Sequence, residues 1–158
     1  MRALGIDYGR RRIGLALSDA TGMLARSWKT VPGGGGPAQV ATLLAAEITA
    51  LESESDGLAA LVIGYPRRLN GEPTDQTSAV EKVVAHLRTL VQVPIVLQDE
   101  RLSSREAESL LARREKDWRK RKLLLDAASA AIILQDYLDG EARGRHDRLT
   151  PHREEDEL

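Results

Sequence analysis

Gly5-Ile6-Asp7-Tyr8-Gly9 is followed at once by Arg10-Arg11-Arg12 and then by Ile13-Gly14-Leu15-Ala16-Leu17-Ser18-Asp19. Two short apolar runs, 3–8 and 13–18, flank a turn of glycine and arginine, which is the pattern of a β-hairpin. The first run carries an acid near its end. A carboxylate set in apolar surroundings without partners is penalised by several kcal/mol or takes up a proton. Asp7 therefore requires something cationic over it. Glycines at 5, 9 and 14 let another backbone or a ligand approach closely. Acid, glycine and arginine in one turn point to phosphate chemistry.

Outward from this hairpin, a third strand is expected over about 23–31. The segment Pro32-Gly33-Gly34-Gly35-Gly36-Pro37 reads as a flexible connector, since it lacks the lysine and Ser/Thr of a phosphate loop. A helical pattern over 40–51 leads to an apolar strand, 58–64, and to the loop Tyr65-Pro66-Arg67-Arg68-Leu69-Asn70-Gly71. Residues 75–90 have helical spacing, with apolar positions at 80, 83, 84, 87 and 90. Residues 94–98 form the next strand, and Ser103 with Glu106 has the capping-box spacing that opens a helix. A last helix is expected from near Lys120 or Leu125 to Leu138. Three early strands followed by alternating helix and strand indicate an α/β fold with a mixed central sheet of about five strands. The expected organisation is one domain, 1–139, and a polar, mobile tail, 140–158.

Composition narrows the classes. The 158 residues contain 42% hydrophobic side chains, enough for a globular core, yet no phenylalanine and only 3% aromatics. That scarcity argues against a single-strand binding module built on base-stacking platforms. The absence of cysteine excludes disulfides, thiolate metal sites and cysteine nucleophiles, and it suits a reducing cytosol. Arg2 and Asp7 come too early for a secretory apolar segment, and no apolar run reaches the roughly 20 residues of a membrane helix. The expectation is a cytoplasmic protein with no membrane partner. Net charge is −1, but the last five residues hold four acids, so the rest of the chain carries +3. Residues 113–122 contain seven Lys/Arg against two acids. Local basic patches set the field that a polyanion meets.

Three acids stand in settings that water does not explain. Asp7 is one; its bland reading is a turn aspartate. Glu100 follows Ile95-Val96-Leu97-Gln98-Asp99 at the carboxyl end of a strand, where open α/β sheets bind ligands. Its bland reading is a first-turn acid at a helix N-terminus, and Asp99 competes with it for the site-facing role. Asp126 lies in Leu123-Leu124-Leu125-Asp126-Ala127-Ala128-Ser129-Ala130-Ala131. It is either an N-cap or, if the helix starts earlier, an acid on a closely packed alanine-lined helix. A hard divalent cation with oxygen ligands would make all three tolerable. His86, His146 and His152 are scattered without metal spacing, so zinc is not expected. Mg2+ or Mn2+ fits oxygen-only ligation, and two such ions about 4 Å apart would activate water and stabilise the leaving oxygen in phosphodiester hydrolysis. The hairpin alone also resembles the first phosphate motif of actin-like ATPases and sugar kinases. Those enzymes need a second domain and a second glycine-rich hairpin, which this chain lacks.

Taken in order, Gly5-Ile6-Asp7-Tyr8-Gly9, the 13–19 strand, Gly64-Tyr65-Pro66 with Asn70-Gly71, Asp99-Glu100-Arg101-Leu102-Ser103-Ser104, and Lys122 with Asp126-Ala127-Ala128 resemble the YqgF/RuvX family. The similarity spans the chain to about Asp139. It implies an RNase H-like fold and a nuclease acting on the 5′ end of pre-16S ribosomal RNA; the family has also been read as Holliday-junction resolvases, by likeness to RuvC. The family's three acids fall on Asp7, Glu100 and Asp126, as catalytic residues and metal ligands. The chain departs from the family pattern in its glycine run at 33–36, in Arg67-Arg68-Leu69, and in an aliphatic Val83 or Val84 where an aromatic is usual. These bear on substrate preference rather than chemistry.

Basic residues recur beside each acid: Arg10, Arg11 and Arg12 beside Asp7, Arg67 and Arg68 after a neighbouring strand, Arg101 beside Glu100, and Lys122 before Asp126. Arg10, Arg11, Arg12, Arg67, Arg101 and Lys122 are the candidate phosphate contacts, which position a nucleic acid without reading its sequence. The partner is thus nucleic acid, structured RNA or branched DNA. A non-catalytic ribosome-associated factor is the competing class. The chain acts as a monomer or a homodimer, with Trp28 and Trp118 as candidate marks of a dimer face against partial burial in the monomer.

Overall fold

The computed structural model describes residues 1–66, 70–99 and 116–149, and within the last segment the side chains of 116, 117, 119, 120 and 128–144. Three strands, β1 (Arg2–Tyr8), β2 (Arg12–Ser18) and β3 (Ala25–Pro32), form an antiparallel meander. Helix α1 (Pro37–Glu52) crosses to β4 (Leu58–Tyr65), and α2 (Asp75–Leu90) crosses to β5 (Ile95–Asp99). Both β4 and β5 run parallel to β1, giving the order β3-β2-β1-β4-β5. The last helix, α3, spans Trp118–Leu149. The expected mixed five-stranded sheet is the one observed.

Two cores sandwich the sheet. On one face Leu4, Ile6, Ile13, Leu15, Leu61 and Ile63 meet α1 and α2. Helix α1 starts with Pro37 in its first turn, where a missing N–H costs nothing, and buries Val40, Ala41, Leu44, Ile48 and Leu51 as one stripe. Helix α2 buries Thr77, Val80, Val83, Val84 and Leu87 in the same way, while Leu90, expected on that stripe, stays exposed. Each large side chain so buried contributes about 1.5–3 kcal/mol. At the entry to β1, buried Arg2 donates to Glu54 Oε2 at 2.8 Å, which compensates its charge.

The second core is thinner. Ala3, Ala16, Val62, Ala130, Ile133, Leu134 and Leu138 bring α3 down on the opposite face. Small residues let the helix come close: a Cβ on Gly5 would lie 2.8 Å from Leu134 Cβ and 3.0 Å from the Ala130 carbonyl.

Three readings of the sequence are corrected. β3 begins at Ala25, not Met23, because Met23 and Leu24 belong to a turn whose N–H groups donate to Asp19 Oδ1 at 3.0 and 3.3 Å. Helix α3 does not end at Leu138, the last buried position among the described side chains, but continues through Gly140 and Gly144, each open to space. The apolar period stops where the helix leaves the sheet; the backbone helix does not. Gly33 is buried rather than a free linker residue, and its N–H donates to the Arg11 carbonyl at 2.9 Å. The helix expected to open at Ser103 lies outside the described residues.

At the sheet edge, Leu15 faces Lys29 and Ala16 faces Ser27, so Trp28 is an extra residue that bulges the strand. Lys29 Nζ sits 4.3 Å above the Trp28 ring centroid and 2.7 Å from Glu47 Oε2.

Two outcomes test this packing. Gly5→Ala should lower stability by about 1–3 kcal/mol, read as a reduced urea midpoint at unchanged m-value, because neither Leu134 nor the Ala130 backbone can retreat freely. The Asp19 carboxyl is held below its ordinary 3.8 by the Met23 N–H, then Thr21 and further backbone donors. The turn is therefore stabilised above that ordinary value and loses its support as pH falls through the lower, folded-state value. In an NMR titration the Met23 amide should shift with a midpoint below 3.8.

Candidate active site

Because β1, β4 and β5 run parallel, their carboxyl ends lie along one edge of the sheet. Asp7 is the penultimate residue of β1 at that edge and is half-buried. Alternation puts it on the same sheet face as Ala3 and Gly5, the face covered by α3. Asp99 ends β5, exposed, in register with Tyr65.

Helix α3 runs against β1 in the opposite direction. Tyr137, Leu138 and Glu141 lie beside Met1 and Ala3, whereas Ala130 and Leu134 lie beside Gly5. One turn before Ala130, position 126 falls on the same helix face, about 6 Å further along the axis. Two residues past Gly5, Asp7 is about 6.6 Å further along the strand. The backbone thus brings position 126 level with Asp7. The Asp126 side chain, and Glu100 altogether, lie outside the described residues.

The turn between β1 and β2 is tightly backed. A Cβ on Gly9 would lie 2.4 Å from the Arg12 carbonyl, and one on Gly33 would lie 2.6 Å from the Gly9 carbonyl. Only glycine fits either position. Arg10 and Arg11 project from this turn, exposed, and Arg12 starts β2, partly buried. Three of the expected basic contacts are located in part or not at all: Lys122 is one turn before Asp126 on α3, with its side chain outside the described residues, and Arg67 and Arg101 lie outside them altogether.

The N-terminus of α2 reaches the same edge. Thr74 caps it, exchanging bonds with Thr77 in both directions: Thr74 N–H to Thr77 Oγ1 at 2.9 Å and Thr77 N–H to Thr74 Oγ1 at 3.3 Å. Gln76 Nε2 donates to the Tyr8 carbonyl, and Thr77 Oγ1 donates to the Pro66 carbonyl. Neither residue was singled out by sequence reasoning; the Thr74–Thr77 cap spacing is the one local signal that this helix begins at the site edge. Two clefts of about 430 and 290 Å³ open at the other end of β1, around Asp19, Arg26 and Trp28 and around Ala3, Ala60 and Tyr137. Among the described residues no group of three His, Asp or Glu side chains is arranged to hold a metal.

Comparison with known proteins gives the lineage. The sequence matches the family described as "RuvX: Holliday junction resolvase" over residues 1–140. A Syntrophus aciditrophicus protein named "Putative pre-16S rRNA nuclease" is 37% identical over 139 residues, covering 88% of this chain and 89% of the relative. A Crocosphaera subtropica protein of the same name is 39% identical over 137 residues, covering 87% and 92%. Among solved structures, T. thermophilus RuvC in complex with a Holliday junction aligns with a TM-score of 0.51 at 15% identity, over 90% of this chain and 96% of that one. That likeness identifies the fold as RNase H-like. The chain belongs to the RuvX family.

Proposed function

We propose that the protein is a divalent-metal-dependent nuclease that processes the 5′ end of pre-16S ribosomal RNA. The observation that carries the reading is Asp7 at the carboxyl edge of the central strand, level with position 126 of the helix packed against it. Relatives over nearly the whole chain bear the corresponding name. Asp7, Glu100 and Asp126 supply an all-oxygen donor set, which suits Mg2+ or Mn2+ rather than softer metals. One or two such ions, when bound, would supply a Lewis acid and a water of lowered pKa. Arg10 and Arg11, exposed on a glycine-braced turn beside Asp7, hold the phosphate backbone, with Arg12, Arg67, Arg101 and Lys122 extending the track.

A second reading is favoured by the family's description as a Holliday junction resolvase. Cutting a four-way junction symmetrically requires two copies, whereas trimming a precursor RNA needs one. Among the described residues no helix is long and apolar enough to cross a membrane.

The deciding experiment incubates the purified chain with a transcript carrying the 5′ leader of 16S RNA and, separately, with a four-way DNA junction, with and without Mg2+ or Mn2+. Metal-dependent cleavage of the transcript is expected. Asp7→Asn should reduce it by roughly a hundredfold or more, about 2.7 kcal/mol of transition-state stabilisation, with an unchanged circular dichroism spectrum. Cleavage of the junction alone would select the second reading, and cleavage of neither would leave a non-catalytic binding factor. RNA affinity should fall with salt at about −0.7 to −0.9 in log–log slope per neutralised phosphate. Arg10→Ala and Arg11→Ala should each flatten that slope by roughly one contact, measured by fluorescence anisotropy.

A further inference from the structure

The end of β1 is held on two sides by different means. Its ladder with β2 continues through Asp7–Gly14 and Tyr8–Ile13, but its ladder with β4 stops at Ile6–Ile63. Both strands run on, β1 to Tyr8 and β4 to Tyr65, but the β1–β4 pairing does not extend to Tyr8. A partly buried backbone carbonyl at such a fork is best satisfied by another donor. For Tyr8 that donor is Gln76 Nε2, from the first turn of α2.

The helix assigns one side chain to each arm of the fork. Gln76 takes the Tyr8 carbonyl on the acid-bearing strand, and Thr77, fully buried, takes the Pro66 carbonyl just beyond β4. The peptide that Gln76 fixes links Tyr8 to Gly9, the residue with the least intrinsic restraint in this segment. The far side of the turn has its own anchor, the Gly33 N–H on the Arg11 carbonyl at 2.9 Å. The two anchors therefore serve different residues. Gly33 holds the arginines, and Gln76 holds the strand end that carries Asp7.

We propose that Gln76 is a positioning residue: its side-chain amide replaces the missing strand partner of Tyr8 and so fixes the Asp7 carboxylate for cleavage, which rests on the nuclease reading above. Its role is donation, not bulk. Gln76→Ala removes the donor; Gln76→Glu keeps size and reach but turns an acceptor toward the carbonyl. Thr77→Val removes the sister bond, to the arm without the acid, together with the cap acceptor of the Thr74 N–H, and serves as the control.

Steady-state cleavage of the precursor transcript and 15N relaxation of the same proteins test this together. Both Gln76 variants should lose about tenfold in kcat, with KM within about twofold because the arginine turn keeps its own anchor. Order parameters at Tyr8 and Gly9 should fall from about 0.85 toward 0.6 in both. Thr77→Val should unfold earlier but retain kcat and a rigid β1 end. Wild-type kcat in Gln76→Glu, or an equal kcat loss in Thr77→Val, would overturn the proposal. If the wild-type chain cleaves no RNA, the nuclease reading fails by itself. The order parameters still decide the clamp: a fall in the Gln76 variants alone supports it, and unchanged values overturn it.

Discussion

The contact between α3 and the central strand at Gly5 governs the rest of the molecule. With a hypothetical Cβ only 2.8 Å from Leu134 Cβ, the helix sits as low on β1 as chain geometry allows. A helix that close has little freedom to slide or roll, because its ridges are fitted to backbone rather than to side chains that can change rotamer. The level at which position 126 passes β1 is therefore set by the same contact that seals the thinner core. A larger residue at 5 or 130 would lift the helix and change both.

The two faces of the sheet divide the labour. The α1/α2 face contains the larger side chains, Leu4, Ile6, Leu44, Ile48 and Leu87 among them, and supplies most of the buried apolar area. The α3 face contains three alanines, Ala3, Ala16 and Ala130, with Val62, Ile133, Leu134 and Leu138 as its larger members. A carboxylate at the rim of that second face, at the end of β1, displaces little packing. The same acid on the first face would have stood among large aliphatic side chains, where leaving it unneutralised is most costly.

What could be read from the sequence follows from which interactions are local. The strands at 3–8, 13–18, 58–64 and 94–98 were legible because each is an apolar run between glycine, proline or charged residues. Met23 and Leu24 misled because apolarity was taken for strand, whereas the Asp19 carboxylate turns them outward to 69% and 61% exposure. The end of α3 was hidden because helix periodicity reports burial, and residues 139–144 are helical with no buried side chain. Gly33 looked like one glycine in a flexible run; its burial depends on a turn more than twenty positions earlier. Gln76 left no local trace, since its acceptor is 68 residues away. The level of position 126 beside Asp7 left no local trace either, since it depends on where α3 packs along β1.

The bulge at Trp28 bears on how two copies of this chain could meet. An eight-residue edge strand is ordinarily a template on which another chain can add. Here the bulge breaks the spacing of free backbone groups, Lys29 sets a charge beside it, and Pro32 removes a donor at the end. Extension of the sheet through β3 is thereby disfavoured, and with it a two-fold pair joined edge to edge at that strand. A symmetric pair would then meet through surfaces other than β3, and that choice would set the separation of its two Asp7 edges.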